Sequence, residues 1–383
     1  MPMKTVFFDH NSTTALKHEV LEAMLPWLTQ PSGNPTSRHI YGRNAREAME
    51  LARKQIADCV GVQASQVVFT SGGTEANNFA IKGITANLTP SQLLISAIEH
   101  PCVTRPAQSL AWHQWNVAQI GVNSEGVIDL VQAEQALKTR TGLVSAMLAN
   151  NETGALQPIA ELATLAKAHG AILHTDAVQA FGKIEVNMTT LGVQAMTISS
   201  HKIGGPVGVG ALILDKRVDI APLLHGGGQE RGLRSGTENV AGIVGFAQAC
   251  QLAMQSLNTR HERVFGLRRQ LEAGLNRLGA VMFASRAERL PNTSFFAIPN
   301  IEGETLVTAL DKVGFAVASG SACSSDSTEP SHVLLAMGIE PDLARGAVRV
   351  SLSESNSSEE ITQFLAALQQ EVQRLKGLSA VAA

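Results

Sequence analysis

Residues 195–215 read AMTISSHKIGGPVGVGALILD: an apolar run, a polar turn carrying Lys202, a string of glycines and a second apolar run. Glycines beside a lysine suggest phosphate. A nucleotide P-loop, G-x-x-x-x-G-K-[ST], places its glycines before the lysine, whereas here they follow it. The nucleotide reading fails on order, and Lys202 needs another explanation. The two apolar runs read as strands, AMTISS (195–200) and GALILD (210–215).

Outward from this stretch the same pattern repeats. QVVFT (66–70), QLLISA (92–97), GLVSAMLA (142–149) and AILHTDA (171–177) are further candidate strands. Amphipathic segments lie between several of them, such as IAELATLAKAHG (159–170), which a glycine closes after a basic turn. Alternation of this kind implies a largely parallel sheet covered by helices on both faces. From about residue 256 the pattern changes, with a charged helix leading into the shorter strands SFFAI (294–298) and AVRVSL (347–352). The reading is an α/β protein with a large domain over 15–255 and a smaller α+β domain over 1–14 and 256–383.

Composition narrows the function. A chain of 383 residues with net charge −3 and no basic run argues against a nucleic-acid surface. Aromatic residues, at 4%, are too few for a base-stacking platform. No apolar run approaches the length that crosses a bilayer, and MPMKTVFFDHNSTT lacks the apolar core of a signal peptide. Cys59, Cys102, Cys250 and Cys323 are scattered, with neither the spacing of a zinc site nor a disulfide framework. A reduced, cytoplasmic setting fits these features.

In open α/β sheets ligands sit beyond the carboxyl ends of the strands. The polar clusters fall there: SGGTEANN (71–78), EH (99–100), NNETG (150–154), DAVQ (176–179) and SSHK (199–202). Gly72, Gly73 and Thr74 ahead of a helix make an anion cradle, although a plain strand–helix turn capped by Thr74 explains the same residues. Asp176 at the end of an apolar strand either caps a helix or holds a cation. Lys202 is a solvated loop lysine, or a buried amine poised for covalent chemistry. His100 is a loop histidine, a stacking partner or a proton carrier. Combined, a phosphate cradle, an acid for a ring nitrogen, the donor Gln179 and a lysine suit pyridoxal 5'-phosphate.

Read together, SGGTEANNFAIKG, EHPCV, NNETGALQPI, HTDAVQAFGKI, SSHKIGGPVGVGAL, HGGGQERGLRSGTEN and ASGSACSSDSTEPSHVLLAMG closely resemble the cysteine desulfurases of the NifS/IscS type. The resemblance runs from FFDHNSTT at residue 7 to VRVSLSESNSSEEI near 361. It implies the aspartate-aminotransferase-like fold, fold type I, with a mostly parallel mixed sheet, and a homodimer. It also implies removal of sulfur from L-cysteine, leaving alanine and an enzyme-bound persulfide for a protein acceptor. By motif, Lys202 resembles the lysine that binds the cofactor covalently, Asp176 the partner of the pyridine nitrogen, Gln179 that of the phenolic oxygen and His100 the group stacked on the ring. Gly73, Thr74, Ser199 and His201 resemble the phosphate ligands, and Thr237 the residue that reaches the other subunit's phosphate. Asn151 and Arg349 resemble the residues that hold the substrate carboxylate. An arginine in the apolar strand AVRVSL needs an anionic partner in any case, and an internal salt bridge serves as well as a ligand.

Cys323 distinguishes this resemblance from other pyridoxal-phosphate enzymes. Its surroundings, ASGSACSSDSTEP, are small and polar, so the loop is expected to be mobile. A mobile thiolate suits attack on a substrate sulfur followed by delivery of the persulfide. Selenocysteine lyase, cysteine sulfinate desulfinase and a catalytically silent sulfur-carrier scaffold are the alternatives on the same fold. The chain ends soon after QEVQRLKG, without the longer tail by which housekeeping members meet their scaffold protein, which leaves iron–sulfur assembly, tRNA thiolation and DNA phosphorothioation open.

Overall fold

The computed structural model describes residues 5–320 and 329–382, with side chains described to residue 377. A short first strand, β1 (Val6–Phe7), precedes a seven-stranded sheet. Its members are β2 (Val67–Thr70), β3 (Gln92–Ser96), β4 (Asn116–Ile120), β5 (Thr141–Ser145), β6 (Ile172–Asp176), β7 (Ala195–Ser199) and β8 (Gly210–Leu214). They lie in the order β2-β8-β7-β6-β5-β3-β4. Neighbours from β7 through β4 are parallel, and β8 is antiparallel to both β7 and β2. Because β8 reverses twice, β2 runs the same way as β7, and the carboxyl ends of β2, β3, β5, β6 and β7 share one edge.

Both faces of this sheet are covered, so its inner strands are buried along their whole length rather than alternating with solvent. Alternate residues feed two cores. Leu94, Ile198 and Ile213 pack with Ile56, Leu162 and Phe246 of the helices Ile40–Cys59, Ile159–Ala168 and Val240–Gln255. Leu93, Ile95 and Leu212 pack with Phe79, Ile84 and Val103 on the opposite face. Two strand readings differ from the observed chain. GLVSAMLA is a strand only to Ser145; beyond it the backbone still follows β6, through Ala146 N to His174 O (3.1 Å) and Leu148 N to Asp176 O (2.9 Å). The edge strand β4, NVAQI, escaped the sequence reading because Asn116 and Gln119 are exposed and leave little apolar pattern.

The second sheet is antiparallel, ordered β12-β13-β10-β9 from β9 (Val281–Met282), β10 (Thr293–Ala297), β12 (Ala318–Ser319) and β13 (Ala347–Ser351). Beside it β1 pairs in parallel with β11 (Phe315–Ala316). The rings of Phe8 and Phe315 each meet that of Phe364 edge-on, with centroids 5.5 Å apart, in a core closed by the helices Leu257–Arg277 and Ser358–Ala382. After β1 the chain crosses toward the large sheet. His10 N bonds Ser351 O (3.2 Å) and Thr14 N bonds His201 O (2.9 Å), so residues 10–14 bridge the two sheets above the edge where the polar loops end.

Candidate active site

The five polar loops meet in one cavity of about 260 Å3. Gly73 and Thr74 enter from beyond β2, His100 from beyond β3, and Asn151 from the segment after β5. Asp176 and Gln179 come from the end of β6, and Ser199, His201 and Lys202 from the end of β7. The helix Gly73–Ala86 begins immediately after β2, and its N-cap is Gly72 at φ +152°. Thr74 therefore stands inside the first turn rather than capping it. The first-turn N–H groups, which no intrahelical carbonyl can satisfy, belong to a helix that starts at the cavity wall.

Asp176 is buried at the floor. Its Oδ2 accepts a hydrogen bond from Asn77 Nδ2 (2.6 Å), and Oδ1 accepts one from Val178 N (2.9 Å). Burial pushes this carboxyl up, opposed by those two bonds and by the positive potential of His100 and Lys202. Asn77 was not read from the sequence as part of the site. Its signal was present: it lies four residues after Gly73, on the same helix face.

His100 caps the helix Pro101–Ser109, with Nδ1 accepting from Cys102 N (3.1 Å). That bond leaves Nε2 to carry the proton of the neutral ring. Burial holds His100 below its ordinary range, with Asp176 pulling the other way. His201 is likewise held down, to about 4, by burial and by Lys202. Cys102 is a wall of the cavity: its sulfur takes a hydrogen bond from Asn77 Nδ2 (3.0 Å), and burial pushes its thiol up.

Lys202 Nζ donates to the carbonyls of Asn11 (2.6 Å) and Ser12 (2.7 Å). Gln179 Nε2 donates to the same Asn11 carbonyl (2.9 Å). Asn11, absent from the sequence reading, is thus the meeting point of the site. Its backbone N–H donates to Ser351 Oγ (2.9 Å), and its Nδ2 to Asn151 O (3.1 Å) and Thr293 Oγ1 (2.9 Å). In sequence it is one polar residue in HNSTT, and only the crossing of the chain between sheets gives it these partners.

Two predicted site residues are not brought to the cavity wall. Arg349, in the middle of β13, pairs with Asp9 Oδ1 (2.6 Å) and donates to Asn151 O (3.0 Å), while its buried Nε has no partner among the described residues. The internal salt bridge is therefore present, one residue away from the cavity lining through Asn151. Thr237 is exposed on the segment before the helix Val240–Gln255. That segment is tied down by two acid–base pairs, Arg53 with Glu230 (2.6 and 2.8 Å) and Arg234 with Glu75 (2.8 and 3.1 Å). Cys323 lies outside the described residues.

The donor set fits pyridoxal 5'-phosphate. Ser199 Oγ is buried and has no hydrogen-bond partner among the described residues, although it borders the cavity beside Gly73. A Cβ on Gly73 would meet Val178 Cγ2 at 3.0 Å, a tight contact, and Ser199 Cβ at 3.6 Å, so glycine leaves room on this wall of the cavity. An unpaired hydroxyl at a helix N-terminus is what a phosphate oxygen satisfies. Across the cavity, Asp176 and Lys202 supply the acid and the amine.

A family model described as aminotransferase class-V matches residues 6–364. "Cysteine desulfurase IscS" of Dictyoglomus turgidum is 41% identical over 382 residues, spanning 98% of this chain and 96% of its own. Among solved structures, a NifS-like protein superposes with a TM-score of 0.91 at 38% identity, over 96% of this chain and 99% of that one. A structure of SspA in complex with cysteine gives 0.81 at 31% identity, over 92% and 100%.

Proposed function

The chain belongs to the aminotransferase class-V family, on the branch of the cysteine desulfurases, and from that premise we propose that it takes the sulfur from L-cysteine and releases L-alanine. The observation that carries the reading is the convergence of Lys202, Asp176 and the unpartnered Ser199 Oγ on one cavity. Gly73, Thr74, Ser199 and His201 would hold the phosphate of pyridoxal 5'-phosphate, Asp176 its ring nitrogen, Gln179 its phenolic oxygen and His100 its face. When bound, that cofactor supplies an electron sink next to the α-carbon of the amino acid.

The residues divide the remaining work. Lys202, now held by the carbonyls of Asn11 and Ser12, would hold the cofactor, and its amine can carry a proton to and from the substrate's α-carbon. Asp176 would hold the ring nitrogen, a task that needs the carboxyl ionised, and the bonds from Asn77 and Val178 favour that form. Asn151 and Arg349 receive the substrate carboxylate, with Arg349 exchanging or sharing its bond to Asp9. His100, with its proton on Nε2, would lie over the ring and can pass that proton to the substrate. Cys323 attacks the substrate sulfur as thiolate: the carbon–sulfur bond breaks, a sulfur–sulfur bond forms, and the carbon is protonated to alanine. The persulfide then passes to a protein acceptor. Thr237 reaches the cofactor phosphate of the second subunit in a homodimer.

The test is alanine release and persulfide labelling with L-cysteine. Cys323→Ala is expected to keep the visible cofactor band and lose the persulfide, and Lys202→Ala to lose both the band and turnover. Persulfide formation by Cys323→Ala would overturn the assignment. Faster alanine release from selenocysteine or cysteine sulfinate, independent of Cys323, would replace it with the lyase or desulfinase reading.

A further inference from the structure

Lys183 is a half-buried lysine with no acidic partner among the described residues. Its Nζ donates to Gln179 Oε1 (2.8 Å) and to Asn11 Oδ1 (2.7 Å), both uncharged acceptors. The charges that bear on it belong to Lys202, Arg349 and Arg260, and all three are positive. A lysine surrounded this way needs a structural reason.

The reason lies in what its two bonds fix. Gln179 Oε1 faces Lys183, so its Nε2 faces the Asn11 carbonyl (2.9 Å). Rotating the carboxamide by half a turn would set oxygen against oxygen at that carbonyl and amide N–H against the lysine amine. Asn11 is held in the same way. Its Oδ1 accepts from Lys183 and from Asn292 Nδ2 (3.0 Å), which commits Nδ2 to Asn151 O and Thr293 Oγ1. The Asn11 carbonyl so placed receives both Gln179 Nε2 and Lys202 Nζ.

We propose that Lys183 is a positioning residue of the reaction: its amine fixes the Gln179 carboxamide and the Asn11 side chain, and so sets both the donor offered to the cofactor ring and the carbonyl that holds Lys202. The inference rests on the roles given to Gln179 and Lys202 above. Burial and the three neighbouring cations hold the Lys183 amine well below the ordinary lysine range. Its two bonds go to two neutral acceptors, Gln179 Oε1 and Asn11 Oδ1. The side chain lines a second cavity of about 240 Å3, whose wall it shares with Lys202, and does not line the first. Its hydrogen bonds reach the site through Gln179 and Asn11.

The experiment uses the cofactor-loaded full-length enzyme and follows the pH midpoint of its visible absorbance together with kcat and KM. Losing one oriented hydrogen bond should move the midpoint in Lys183→Met by about half to one pH unit and lower kcat roughly tenfold, with KM little changed. Gln179→Ala should move the midpoint in the same direction, and the double variant should add nothing to either single change. Lys183→Gln keeps an uncharged donor, guards against a Met variant that does not fold, and should lie between wild type and Lys183→Met. An unmoved midpoint in Lys183→Met, or additive shifts in the double variant, overturns the positioning role alone. A wild-type protein with no visible cofactor band overturns the functional reading, and the positioning role with it.

Discussion

At the residue scale, the site is defined by groups whose charge the fold has made costly. Glu99, next to His100 in sequence, is fully buried and accepts bonds from Ser96 Oγ and from Met147 N (2.7 Å). Its Oε2 has no partner, and burial, reinforced by Asp176, raises its pKa to about 8. The folded protein therefore keeps this proton across a range where the unfolded chain has released it, from the ordinary glutamate range up to pH about 8. Its contribution to stability is complete below the unfolded pKa and is lost as pH rises through the folded one. Glu99→Gln cannot ionise, so its melting temperature should fall less than that of wild type between pH 5 and about 9. Parallel melting curves for the two proteins would show that Glu99 does not titrate in this window. His174 has the opposite sign. It is buried with Nδ1 at Ser145 Oγ (2.8 Å) and Nε2 at Thr197 Oγ1 (3.0 Å), and burial lowers its pKa to about 3, so it costs stability as pH falls below the histidine range.

At the scale of elements, the phosphate cradle depends on how β2 passes into the helix Gly73–Ala86. The strand ends at Thr70, Gly72 makes the turn, and the helix starts with its N–H groups aimed past Gly73. Gly73→Ala places a methyl group 3.0 Å from Val178 Cγ2, in the space in front of Ser199. Residue 73 opens the helix, where alanine gains little over glycine, and Val178 must give way slightly, so the variant should fold within about 1 kcal/mol of wild type. Its affinity for pyridoxal 5'-phosphate, read by absorbance titration, should nevertheless drop roughly tenfold, the worth of about one charge-assisted hydrogen bond. Equal affinity with equal urea midpoints would place the phosphate elsewhere.

At the scale of the whole molecule, separate segments are held in register by buried polar pairs. Arg53 of the helix Ile40–Cys59 meets Glu230, whose Oε2 also accepts from Phe69 N (2.9 Å), in a segment where Glu230 (φ +48°), Arg231 (φ +61°) and Gly232 (φ +81°) are left-handed in succession. The ion pair holds that strained backbone in place, and with it the segment that carries Thr237. Glu230→Gln leaves the buried Arg53 only the more exposed Glu50 (3.1 Å) as counter-charge and should cost about 3 kcal/mol, measured as a drop in the urea midpoint. A loss below about 1 kcal/mol would mean that the segment holds itself.

The amino-acid sequence by itself determined the sheet, because strands buried on both faces need unbroken apolar runs, and QLLIS, AMTIS and GALIL are such runs. It also determined the candidates Lys202, Asp176, His100 and Gly73, since polar residues at the ends of those runs fall on the ligand-binding edge. Tertiary structure alone decided which of them share a wall. Arg349 reaches Asp9 from 340 positions away, and Asn11 gathers Gln179, Lys183, Lys202, Thr293 and Ser351, none of them its neighbour in sequence. Apolar periodicity is a local property, so it can be read along the chain. Hydrogen-bond partners of a buried polar group are set by where distant segments cross, and no local pattern in HNSTT or FGKI encodes that crossing.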